Sequence, residues 1–169
     1  MLSADREILG FRTIALIPFA LFAPVVVSFA VAPGVVGFEY VGVLFHLSVL
    51  FLVARMDAPE WARAAGYGWL ALDVAVGAMM INGVSPDVAS PMRLGGHVLA
   101  GVWIVTASLL ARSVVVRVLG VAGGGWLGLY TFFAPFLPQG ALGPAAVLVL
   151  AWFVSLAWKY PRPGPVSGA

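Results

Sequence analysis

Residues 13–31 read TIALIPFALFAPVVVSFAV, nineteen consecutive positions without a charged side chain, preceded by Arg12 and followed by Pro33-Gly34. A helix needs about 20 mostly apolar residues to cross the hydrocarbon core of a bilayer, so this stretch has the length of a span. The rival reading is a secretory leader, because Arg6 and Arg12 precede it and Ala30-Val31-Ala32 has the small-x-small form of a cleavage site. Against it, Pro33 would follow the scissile bond directly, Pro18 and Pro24 interrupt the run, and the run is longer than the apolar core of a leader. The stretch is read as a retained transmembrane helix.

The same pattern recurs at 38–53, 66–81, 94–110, 118–136 and 141–158. Turn and helix-start signals separate the segments: Asp57-Ala58-Pro59-Glu60, Asn82-Gly83 with Ser85-Pro86-Asp87, and Pro138-Gln139-Gly140. At 62% hydrophobic, 9% charged and a mean hydropathy of +1.05, the chain has too little polar surface to cover a water-soluble globule of 169 residues. Six spans with short connections use up the length and leave no room for a soluble catalytic domain. The predicted fold is an all-α, polytopic integral membrane bundle of six transmembrane helices, a single domain over 1–160 with a short disordered tail at 161–169.

Orientation is read from the basic residues, which stay on the cytoplasmic side during insertion. Arg6, Arg12, Arg55, Arg63, Arg112, Arg117, Lys159 and Arg162 fall on one side of the six-span arrangement and only Arg93 on the other, a split of eight to one. Both termini are therefore expected in the cytoplasm. The arginine-rich, alanine- and glycine-rich composition suggests a bacterial inner membrane. Tyr40, Trp61, Tyr67, Trp158 and Tyr160 fall at span ends, where interfacial aromatics belong, while Trp69, Trp103, Trp126 and Trp152 are expected to serve packing.

The net charge of +2 is scattered rather than gathered into a patch, which excludes nucleic acid as a partner. Cysteine is absent, and with it disulfides, thiolate metal sites and thiol nucleophiles. Phe22-Ala23-Pro24 recurs as Phe133-Ala134-Pro135, too short a match to establish an internal repeat, but the prolines predict kinks in the first and fifth helices. Gly120, Gly124 and Gly128 form two overlapping GxxxG units on one face of the fifth span and predict close helix packing, within the bundle in preference to between subunits.

Asp73 lies midway along the third span, where a carboxylate costs roughly 3 kcal/mol to insert, so it is expected to face the bundle interior and either pair or stay protonated. It is the leading candidate for a binding or proton-relay residue. His46, at matching depth on the neighbouring second span, is its expected partner, and Glu39 lies about two turns away on the same face as His46. These three describe a polar stripe running inward from the outer surface. His97 is placed about one turn below the outer end of the fourth span, on a face with Arg93 and Gly101. Asn82, Ser85 and Asp87 are read as turn residues.

Three functions remain open at this point. An accessory or structural subunit packed against other membrane subunits, or against itself, demands least of the sequence. Proton-linked transport or binding of a small solute would use the stripe of Glu39, His46, Asp73 and His97. A redox protein holding haem b between His46 and His97 is a third reading, although their estimated depths differ by about 7 Å. No nucleophile–base pair or zinc-binding motif supports a membrane enzyme, and no other cofactor or metal is predicted.

Overall fold

The computed structural model describes residues 9–31 and 35–160. The expected tail at 161–169, the basic residues Arg6 and Arg162, and the Pro33-Gly34 turn lie outside the described residues.

Among the described residues the chain forms six α-helices: α1 Phe11–Val31, α2 Gly37–Arg55, α3 Glu60–Ile81, α4 Pro86–Leu110, α5 Val114–Phe133 and α6 Gly143–Lys159. All six are long and apolar enough to cross a membrane. Each packs on its neighbours in sequence and α6 closes back on α1, so the helices make a ring. Connections this short place consecutive helices antiparallel. One end of the ring, hereafter the polar end, carries the α1–α2, α3–α4 and α5–α6 connections. The other, the terminal end, carries the remaining two connections, the start of α1 and the end of α6.

Helix starts differ from the sequence expectation wherever a polar first turn precedes the apolar run. α3 begins at Glu60 behind Pro59, six residues before the expected 66, and α4 begins at Pro86, eight before 94. Ser85 caps α4, its hydroxyl accepting the Asp87 N–H at 3.3 Å. Asn82 closes α3 through its side-chain amide, which donates to the Ala78 carbonyl at 2.8 Å, and Gly83 takes a φ of +80° that favours glycine. At the far end of the fifth segment the helix stops earlier than 136: Ala134–Phe136 is a short 3-10 turn, as is Gln139–Leu142. Pro135 therefore ends α5 instead of kinking it, whereas Pro18 and Pro24 lie inside α1.

The interior is filled in its middle and terminal half by large side chains: Phe45 and Leu52 from α2 and Met56 just after it, Trp69 and Leu70 from α3, Trp103 from α4, and Trp152, Phe153 and Leu156 from α6. Aromatic rings stack or meet edge-on from Phe22 through Phe45 to Phe153 and from Trp69 through Trp103 to Trp152. α4 and α5 approach most closely at their glycines. A Cβ at Gly101 would lie 2.7 Å from the Gly124 carbonyl oxygen and 3.0 Å from Gly128 Cα, so only hydrogen fits at this crossing. The glycine face of α5 thus packs within the bundle. The outward surface is apolar, with Val27, Leu44, Phe51, Leu109, Val118, Phe132 and Val147 all exposed.

At the terminal end the ring is latched by Tyr160. Its phenol stacks on Phe11 with centroids 4.6 Å apart and accepts the Asp57 N–H at 3.0 Å, tying the exit of α6 to the start of α1 and to the α2–α3 connection. Arg12 lies over the Trp158 ring at 4.5 Å, a cation–π contact between the same two helices.

Candidate functional site

α2, α3 and α4 each send ionisable side chains into the polar half of the ring. Helical spacing explains the set: Glu39 and His46 are two turns apart on α2, while Arg93, Gly96 and His97 lie on the inner face of α4 opposite Asp73 of α3. Asp73 is the most enclosed, its side chain 1% exposed. Gly96 makes room for it, since a Cβ there would stand 3.1 Å from Asp73 Oδ2.

The contacts form a branched chain. The Arg93 guanidinium grips Glu39 in bidentate fashion, Nη2 to Oε2 at 2.6 Å and Nη1 to Oε1 at 3.3 Å. Its Nε lies 3.6 Å from Asp73 Oδ1. On the other side of the carboxylate, His46 Nε2 lies 3.6 Å from Asp73 Oδ2. Arg93 and Glu39 are 30% and 20% exposed, so the chain runs from a wetter pair at the polar end to a buried acid beneath it.

Neither oxygen of Asp73 meets a donor in good hydrogen-bond geometry; the Trp69 indole, one turn earlier on α3, is directed at the carboxylate without closing on it. A buried polar group left unpaired costs about 1–3 kcal/mol, so the gaps on either side of Asp73 carry an energetic cost. The protonation of His46 sharpens this. Its Nδ1 is 2.7 Å from the Gly42 carbonyl, which only accepts, so Nδ1 carries a hydrogen and Nε2 of the neutral ring is a bare acceptor facing a carboxylate. One proton, on Asp73 or on His46, converts that repulsive facing into a hydrogen-bonding one. The same proton cancels the single negative charge left when Arg93 is shared between two carboxylates.

His97 lies eleven residues into α4, three turns from its start, because the helix begins at Pro86; the expected position one turn below the outer end is corrected accordingly. Its Nδ1 is buried without a hydrogen-bond partner. Deeper placement removes the depth mismatch but does not make a haem site. Asp73 stands in front of His46 Nε2, the Trp69 ring meets the imidazole edge-on at 5.5 Å, and the α4 backbone at Gly96 closes on the carboxylate, so no porphyrin slot separates the two histidines. Two clefts in the bundle surface, about 240 Å³ between α2 and α3 and about 270 Å³ between α4 and α5, are lined by none of the cluster residues.

Glu39, His46 and Asp73 are thus brought into one site and His97 to its margin. Sequence reasoning missed Arg93 as the bridge. Its signal was legible: the one basic residue on its side of the charge split, four residues before a histidine on a glycine-bearing helix face. Comparison of the chain with protein families, with curated proteins and with solved structures gives no match.

Proposed function

We propose that the protein is a proton-linked membrane protein in which Asp73 and His46 take up and release one proton beneath the Arg93–Glu39 pair, in step with binding or movement of a small solute. The observation that carries this reading is the buried Asp73 carboxylate, 3.6 Å from both His46 Nε2 and Arg93 Nε and hydrogen-bonded to neither. An ionisable group enclosed in a bundle and left short of its partners is a site where a proton changes the energy of the whole packing. The charge distribution supports a bacterial inner membrane with both termini in the cytoplasm, which turns the polar end outward.

Proteoliposomes loaded with the pH dye pyranine and energised by a potassium diffusion potential test it. They should acidify faster than protein-free vesicles, and Asp73→Asn should abolish the difference. Equal rates with and without the protein would remove the transport reading. A second reading, an accessory subunit, is favoured by the α4–α5 surface cleft, where the half-buried Gly125 and Gly128 leave backbone open between Val105 and Phe132 to a neighbouring helix or to lipid.

A further inference from the structure

Beneath the acid–histidine cluster the polar atoms of the core change character. Trp69, Trp103 and Trp152 are 3%, 0% and 0% exposed, and their rings follow one another at centroid separations of 6.0 and 5.7 Å. The indole nitrogens of Trp103 and Trp152 are buried without an acceptor, while that of Trp69 is directed at Asp73. An indole N–H only donates, so this column is complementary to acceptors and not to cations or other donors.

The foot of the column is built from three helices. Ser28, Ser48 and Ser155 each turn the hydroxyl back onto the carbonyl three residues earlier, at 2.7, 2.6 and 2.8 Å. Ser108 is fully buried and does not; its hydroxyl points from α4 to α5 and stands where a side chain on residue 120 would begin. The Trp152 indole nitrogen reaches the same place from α6, 2.7 Å from the position a Cβ of residue 120 would take. Glycine at 120 is what lets the two orphaned groups converge.

We infer that the junction of Ser108, Trp152 and Gly120, with Trp103 next above it, is a binding station for one water molecule. The Trp152 indole donates to the occupant, and the Ser108 oxygen, its own hydrogen given to a backbone carbonyl, accepts a hydrogen from it. Rotation of Ser108 about its Cα–Cβ bond toward the Val105 carbonyl, the arrangement its fellow serines adopt, makes the room. Trp103, Ser108 and Trp152 are fully buried, so the occupant is enclosed by protein. No acid is among the orphaned groups here, so the station stands independently of proton exchange at Asp73.

The test is an indole ¹⁵N–H spectrum of the full chain in nanodiscs, its six tryptophan signals assigned with Trp103→Phe and Trp152→Phe. The Trp152 signal should show cross-relaxation with water, and Ser108→Ala should move the same signal and weaken that cross-relaxation. A Trp152 indole proton with no water contact and exchange as slow as the surrounding helix amides, or one with a saturable shift on adding sodium fluoride or chloride that sodium gluconate does not reproduce, would overturn the assignment.

Discussion

Arg93 reaches from α4 across the mouth of the polar half to hold Glu39 of α2 at 2.6 Å, and the same guanidinium presents its Nε to Asp73 of α3 at 3.6 Å. One cation therefore serves two carboxylates on two different helices. Removing it should hurt more than removing either acid partner.

Arg93→Gln is expected to lower stability in detergent by about 1–3 kcal/mol, because it strands two partly or fully buried carboxylates. Glu39→Gln should cost less, since the guanidinium keeps Asp73 and some access to water. A double-mutant cycle on thermal unfolding reads the coupling directly. Equal losses for the two single variants would contradict the shared-cation arrangement.

Asp73→Leu is expected to destabilise the bundle by about 1–3 kcal/mol, since it removes the partner of His46 and Arg93 from the interior. A lipid-facing acid would respond in the opposite direction, with a rise in melting temperature. Infrared titration of the reconstituted protein should show a protonated-carboxyl band that grows as pH falls and is missing from Asp73→Asn. Its persistence in that variant would assign the band elsewhere.

The glycine crossing makes a prediction about position. Gly101→Ala drives a methyl group into the α5 backbone and should cost about 1–3 kcal/mol through overpacking. Gly125→Ala meets nothing within 4 Å and should be neutral or gain up to about 1 kcal/mol from helix propensity. Melting temperatures of the two variants side by side settle whether contact or propensity governs α5.

Burial pushes the Tyr160 phenol above its ordinary value of 10.0, opposed in part by the hydrogen bond from the Asp57 N–H. A group whose folded value is raised stabilises the fold fully below the unfolded value, and that contribution is lost as pH rises through the folded one. The terminal latch should accordingly weaken above about pH 10. Tyr160→Phe keeps the stacking on Phe11, should lose about 0.5–1.5 kcal/mol at neutral pH with the hydrogen bond, and should show a shallower alkaline decline. An unchanged alkaline slope would show that the latch does not open by ionisation.

The number of helices, their order and their approximate centres were set by the sequence alone, because runs such as 13–31 and 141–158 exclude charge over a bilayer's thickness whatever they pack against. The depth match of His46 and Asp73 was legible for the same reason: rise per residue is fixed, and short connections keep consecutive helices adjacent. Helix starts were not legible, because first turns such as Glu60–Arg63 and Asp87–Met92 are polar or amphipathic and hydropathy does not mark them as helix. What only the tertiary structure decided is which non-adjacent groups meet. That Arg93 closes on Glu39, and that Ser108 and Trp152 converge at Gly120, depends on the rotation of each helix about its axis when the ring closes. Those rotations are set by the combined packing of Trp69, Trp103, Trp152 and the glycines against several neighbours at once, which no single helix's sequence contains.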